Sequence, residues 1–310
     1  MIPFLNPIIR FWKNRYQHIR FRLSDIICLT YFALLSVLLP FFHKNVPFWQ
    51  SDFIIHWAFV FVGLEFIRFG ERNSHNNVLW MIRTFYPVVF YLYAYLEVGH
   101  LGQMFFGSNW AIQFLVNADK AIFGVHPTVW IERFYTPWLD EVMALCFSGY
   151  YLFMPIVALP LFFRGRREET LAAFSIAAFA YFTNYLFFYI FPALSPRMIP
   201  WMEAMNTKEY SGYLFASITR IIQGEKGVLH GGVFPSSHIS GSLAWSLAAL
   251  RYNRRLGVII IPVVLGIAFS TVYLRYHHAV DPIAGLMLGL ICYPITLILL
   301  KKRGEDPHSR

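Results

Sequence analysis

Eight stretches of this chain are about as long and apolar as a helix must be to cross a membrane, and nothing else constrains the fold as hard. Crossing the hydrocarbon core takes about 20 mostly apolar residues. The segments are read at 24–42, 52–69, 78–96, 140–163, 170–191, 236–251, 256–274 and 281–300. Composition agrees: of 310 residues, 57% are hydrophobic and only 14% charged. A soluble domain carries about 25% charged residues, so this chain lacks the charge to coat a soluble surface. Disorder is excluded, because disordered chains are short of apolar residues rather than rich in them. A disulfide scaffold is excluded too, since Cys28, Cys146 and Cys292 all lie inside apolar runs. The expected fold is all-α, a polytopic transmembrane bundle of about eight spans without internal repeats. Its spans are read as nearly free of charge, Asp25 and Glu65 near their ends apart.

The net charge of +9 would suggest nucleic acid in a soluble protein. Here its placement decides otherwise. Eight spans leave both termini on one side, and that side collects 18 of the 26 Lys and Arg residues. They are Arg10, Lys13, Arg15, Arg20 and Arg22, then Arg68, Arg72 and Arg83, the turn Arg164, Arg166 and Arg167, the turn Arg251, Arg254 and Arg255, and Lys301, Lys302, Arg303 and Arg310. The other side holds eight, among them Lys226. A Lys/Arg excess marks cytoplasmic loops, so cytoplasmic termini are expected, with the bilayer rather than nucleic acid as partner. No short apolar region with a small-residue cleavage site precedes the first span, so the basic start reads as a membrane-surface segment, not a cleaved signal. Residues 1–77 are assigned to this segment plus two accessory helices, 78–300 to a membrane core and 301–310 to a cytoplasmic basic tail.

Two loops on the non-cytoplasmic side are long enough to hold structure. The first, about 97–139, has apolar pieces too short to span, with Trp110, Trp130 and Trp138 as interfacial anchors. The second, about 192–235, begins FPALSPRM and ends HGGVFPSSH. On this topology Arg197, His238, His277 and Asp281 all arrive at one face.

Their chemistry is coherent. His277 and Asp281 are four residues apart, so a helix would put them on one face. A carboxylate on one imidazole nitrogen fixes the tautomer and leaves the other nitrogen basic, the orienting logic of a catalytic triad, with the histidine itself available as nucleophile. His238 begins a helix behind Pro235, a residue favoured at the first helical position. The open amides there, with Ser236 and Ser237, form a natural phosphate cradle. Gly231 and Gly232 would let backbone approach a ligand closely, and Arg197 and Arg275 would fork onto phosphate oxygens. Together these residues describe a phosphoryl-transfer site that needs no metal and no cofactor.

At these residues the chain resembles the type 2 phosphatidic acid phosphatase superfamily, whose motifs are KxxxxxxRP, PSGH and SRxxxxxHxxxD. The second motif reads Pro235-Ser236-Ser237-His238, with Ser in the Gly slot. The third keeps its spacing from Ser270 to His277 and Asp281, with Thr271 where the family has Arg. The first keeps only Arg197, in Pro192-Ala193-Leu194-Ser195-Pro196-Arg197. These departures, and the segment Asp119-Lys120-Ala121-Ile122-Phe123-Gly124-Val125-His126-Pro127, resemble the branch of inositol phosphorylceramide synthases. The resemblance covers about 78–300 and implies a six-helix phosphatase-type core acting on a lipid substrate. It further implies that His277 forms a phosphohistidine, that Asp281 orients it and that His238 protonates the leaving oxygen. Arg197, Ser236 and Ser237 would hold the phosphate. Arg275 as a substitute for the missing guanidinium at Thr271 is our own addition to that pattern.

Plainer roles suit other residues. His43, His56, His75, His100 and His126 read as structural, and Gly285 with Gly289 as a GxxxG packing face. His230 divides evenly between loop packing and substrate contact, and the role of His278 is open. A lipid phosphatase, a headgroup transferase, and a non-enzymatic transporter or scaffold that kept the fold all remain open.

Overall fold

Every apolar run identified above folds as helix. The structure, a computed structural model, describes Trp12 and residues 14–208, 211–223 and 231–309. The readings placed on Arg10, Lys13, Lys226, His230 and Arg310 lie outside the described residues. Among those described there is no strand beyond one isolated bridge between Ala193 and Gly231. The main helices are α1 (Leu23–Leu38), α2 (Trp49–Arg72), α3 (Asn77–Phe85), α4 (Pro87–Leu101), α5 (Ala111–Phe123), α6 (Pro137–Gly149), α7 (Phe153–Phe163), α8 (Arg167–Ile190), α9 (Leu214–Gln223), α10 (Ser237–Tyr252), α11 (Arg254–Tyr273) and α12 (Val280–Lys302). The all-α membrane bundle is thus the observed architecture.

Six helical units are long and apolar enough to cross a membrane: Leu23–Phe41, Trp49–Arg72, Pro137–Phe163, Arg167–Ile190, Arg254–Tyr273 and Val280–Lys302. The other two expected spans differ for physical reasons. The run read at 78–96 is broken between α3 and α4 at Pro87, which has no amide for the preceding turn and fixes its own φ. The run read at 236–251 forms α10, only 16 residues long. Its hydroxyls turn inward, Ser242 to the His238 carbonyl at 2.5 Å and Ser246 to the Ser242 carbonyl at 2.8 Å. α10 packs against α8, α11 and α12, so it is the axis of the bundle and needs no lipid-facing side. Gly241 is required there, because a Cβ would lie 2.3 Å from the Tyr181 ring.

The expectation that the spans are nearly free of charge is wrong. Arg83 and Asp25 are both buried and joined at 3.0 and 2.5 Å, with the Tyr86 hydroxyl donating to Asp25 at 2.7 Å. Deeper toward the opposite end, His56 Nε2 meets Glu97 Oε2 at 2.7 Å, both side chains fully buried. These charges escape a hydropathy reading because each is neutralised by a partner far along the chain, the form in which ionisable groups survive away from water. The basic tail also turns back onto the bundle. Glu305 accepts the Leu23 amide at 2.8 Å, and Asp306 pairs with Arg251 at 2.6 Å.

Candidate active site

α11 ends at Tyr273, and a short turn leads into α12 at Val280. The Thr271 carbonyl takes the amides of Tyr276 and His277 at 2.9 and 3.1 Å, folding this turn over the helix end. Asp281 closes it from the other side: its Oδ2 accepts the His278 amide at 2.8 Å and lies 3.1 Å from His277 Nδ1. The expected pair therefore forms, but not on one helical face. His277 precedes the helix, and the contact exists because the Asp281 carboxylate caps the turn.

Two residues from the other half of the site converge on the second ring nitrogen of His277. Ser236 Oγ is 3.2 Å and His238 Nδ1 3.3 Å from its Nε2. Ser236 is the N-cap of α10, and its amide is already given to the Asp281 carbonyl at 3.1 Å. Pro235 stands outside the helix instead of at its first position. The expected amide cradle accordingly narrows to Ser237 and His238, at the open first turn of α10. His238 is held between the rings of Phe147 and Tyr150, at centroid distances of 5.0 and 4.7 Å.

Gly285 sets how closely the two halves approach. A Cβ there would lie 2.6 Å from the Ser236 carbonyl oxygen, and one at Gly289 would lie 2.9 Å from Leu243. The expected GxxxG face is a packing face, and it seats α12 against the helix start that carries His238.

Electrostatics set the protonation. Burial pushes His277 down to about 3, so it is neutral near pH 7. With Nδ1 facing the Asp281 carboxylate, the proton resides on Nδ1 and the lone pair on Nε2. Burial lowers His278 as well. His278 is fully buried, with Nε2 3.3 Å from the Leu194 carbonyl, so it ties the turn to the Arg197 loop.

The two arginines share a cavity of about 440 Å³ with Tyr276, Lys208, Arg220, Asp140 and Glu203 in its wall. Arg197 lies over the Tyr276 ring, 4.9 Å from its centroid, and its amide donates to the Arg275 carbonyl at 3.3 Å. Arg275 is placed differently from the expectation. Its guanidinium donates to Glu132 at 2.8 Å and to the Lys208 carbonyl at 3.3 Å. Its φ of 63° is a conformation that surrounding contacts must hold for a residue with a side chain. Burial would raise the Glu132 carboxyl, but bonds from the Thr207 hydroxyl and amide and the charge of Arg275 outweigh it and hold it below the ordinary range.

Gly231 and Gly232 lie beside α4. A Cβ on Gly232 would meet the Val98 side chain at an ordinary 3.4 Å, and one on Gly231, whose φ is 96°, would meet Gly102 at 3.3 Å. Only Gly231 has the left-handed backbone that favours glycine. On the far side of His238 lies a second cavity of about 250 Å³, lined by Ser237 and by Tyr91, Tyr95, Tyr150, Tyr181 and Tyr185.

Glu132, Phe147 and Tyr150 were not picked out from sequence. Glu132 sits in a short 3-10 turn with no periodicity to mark it, and the two rings look like ordinary span material. Among the described residues no group of three or more His, Cys, Asp or Glu side chains is arranged to hold a metal ion.

The sequence profile of the PAP2 superfamily matches residues 113–295, which include Arg197, both histidines and Asp281. The chain is 35% identical over 115 residues to a PA-phosphatase related-family protein of Dictyostelium discoideum, covering 36% of this chain and 20% of that protein. It is 36% identical over 58 residues to undecaprenyl-diphosphatase BcrC of Bacillus subtilis (strain 168), covering 19% of this chain and 30% of that protein. The matched part thus spans less than a third of either relative. No solved structure matches.

Proposed function

Because this chain belongs to the PAP2 superfamily, we propose that it is a membrane enzyme of lipid phosphoryl transfer in which His277 is the nucleophile. One observation carries the reading: His277 has a carboxylate on one nitrogen, and its other nitrogen meets the His238 imidazole and the Ser236 hydroxyl. In the first step Nε2 of His277 attacks phosphorus, an N–P bond forms, and the P–O bond to the leaving group breaks. His238, protonated as the anionic substrate binds, gives that proton to the departing oxygen. In the second step water or a lipid alcohol passes a proton to His238 and attacks phosphorus, and the N–P bond breaks. Arg197, Ser237 and the open amides of α10 hold the phosphate oxygens. Arg275 organises that pocket through Glu132 and Lys208, and its charge adds to the field at the phosphate.

The acceptor distinguishes a phosphatase from a headgroup transferase. The printed activity of BcrC, a diphosphatase, supports hydrolysis. The tyrosine-lined cavity at His238 supports transfer to a lipid alcohol, as does the resemblance to inositol phosphorylceramide synthases. The charge distribution supports cytoplasmic termini and a site on the opposite side, with α1 and α2 as accessory helices ahead of the 78–300 core.

The test is turnover by purified protein in liposomes, offered a panel of lipid phosphates, diphosphates and phosphodiesters with chelator present, beside His277→Ala. Phosphate release by the parent alone identifies a phosphatase. A new lipid formed only with a lipid alcohol present identifies a transferase. Parental turnover by His277→Ala would sink the mechanism, and no turnover on any lipid would favour a transporter or scaffold.

A further inference from the structure

We propose that Asp119 is a positioning residue for the reaction, fixing the turn that carries His277 from outside the helix that carries Asp281; this rests on the phosphoryl-transfer reading above. Asp119 lies on α5, in the segment Asp119–Pro127, to which the mechanism so far gives no part. It is buried, and its two carboxylate oxygens accept two successive amides 160 residues away. Oδ2 takes the Ala279 amide at 3.0 Å and Oδ1 takes the Val280 amide at 2.9 Å.

Those amides belong to the start of α12, whose first N–H groups have no partner within the helix. The neighbouring His278 amide is taken by Asp281 Oδ2, and the Asp281 amide by the His278 carbonyl at 3.1 Å. Four consecutive amides of the segment 278–281 are therefore all engaged, two of them by a carboxylate from another helix. Asp281 supplies a clamp from within the segment, Asp119 one from outside. Oδ2 of Asp119 also faces His278 Nδ1 at 3.8 Å, and His278 reaches the Leu194 carbonyl at 3.3 Å on its other nitrogen. Asp119 thus connects the turn of the nucleophile to the loop of Arg197.

The functional consequence is geometric. Asp281 holds His277 through a single 3.1 Å contact, and the carboxylate that makes this contact sits in the first turn of α12. Without Asp119 that helix start loses two charge-assisted bonds, and the helix end can fray or shift. A misplacement of about 1 Å at a reacting group costs about 100-fold in rate. Burial raises the Asp119 carboxyl while the two amides oppose that rise.

The experiment measures kcat and KM of full-length Asp119→Ala and Asp119→Asn in liposomes, with thermal unfolding and phosphoenzyme trapping alongside. Asp119→Ala is expected to lose about 10- to 100-fold in kcat with KM within about threefold, and phosphoenzyme formation should slow in proportion. Asp119→Asn keeps one acceptor oxygen and should fall between Ala and the parent. The proposal is overturned if both variants turn over at the parental rate. It is equally overturned if KM rises while kcat holds, or if the loss in kcat only follows a smaller folded fraction. If Asp119→Ala does not fold, the isosteric Asn variant decides: parental kcat overturns the proposal, and reduced kcat at unchanged KM supports it. Failure of the phosphoryl-transfer reading has a different signature, because His277→Ala would then keep parental turnover.

Discussion

Two of the buried histidine–carboxylate pairs among the described residues look alike at the level of the pair. His56 meets Glu97 at 2.7 Å between α2 and α4, and His277 meets Asp281 at 3.1 Å at the start of α12. They differ in what the second ring nitrogen faces. His56 Nδ1 has no hydrogen-bond partner among the described residues, and its ring packs edge-on against Phe32. Glu97 continues inward to the Tyr189 hydroxyl at 3.5 Å, which meets the Tyr31 hydroxyl at 3.0 Å. The second nitrogen of His277 instead faces another imidazole and a hydroxyl, at the start of a helix. A carboxylate orients either ring equally well. Phosphoryl transfer also needs a proton-carrying group beside the second nitrogen, and of these two rings His277 has one.

Breaking the pairs should give opposite phenotypes. The largest effect on chemistry is expected for His277→Ala, a loss of about 10⁴-fold or more in turnover with unfolding temperature near the parent's, checked by lipid turnover and trapping of the phosphoenzyme. His238→Ala should lose about 10²- to 10⁴-fold, and a substrate with a much better leaving group should recover part of the rate. Absence of any recovery would count against the acid role. Glu132→Gln frees Arg275 from its carboxylate, so kcat should fall by about tenfold with little change in the fold; unchanged kinetics would confine Arg275 to packing. Glu97→Ala should leave kcat within about twofold yet destabilise by about 3–5 kcal/mol, the usual result of stranding one partner of a buried pair. A kcat loss matching that of His277→Ala would erase the distinction drawn here.

The smallest effect concerns pH. His277 in the folded protein is lowered to about 3 from the ordinary value near 6.5, so between these values the unfolded chain binds the extra proton. Stability is then fully present above about pH 6.5 and declines as the pH falls toward 3. Unfolding temperature followed from pH 8 to 4 should drop less steeply in His277→Asn than in the parent. Identical slopes would mean that His277 does not carry this dependence.

The reactive pair was legible in the sequence through spacing, since His277, Asp281 and the Pro235–His238 segment stand at ends of apolar runs that topology brings to one face. The second pair was not. His56 and Glu97 lie 41 positions apart inside segments that read as plain span, so the bundle seemed free of internal charge. Glu132 and Asp119 were missed as parts of the site for the same reason: each acts across more than 140 residues, on backbone amides or on an arginine, and backbone amides leave no trace in a sequence.

Hydrophobic run lengths alone determined that this chain is a helical membrane bundle, because the cost of unsatisfied backbone in hydrocarbon leaves a span no other form than helix or closed barrel. The order of those runs also determined which end carries the polar motifs. Only the tertiary structure decided that the Asp281 carboxylate caps a turn instead of sharing a helix face with His277, that Ser236 gives its amide to Asp281 while its hydroxyl faces His277, and that Arg275 turns to Glu132. These outcomes depend on which unpaired donor finds which acceptor after the helices pack, and distance along the chain says nothing about that.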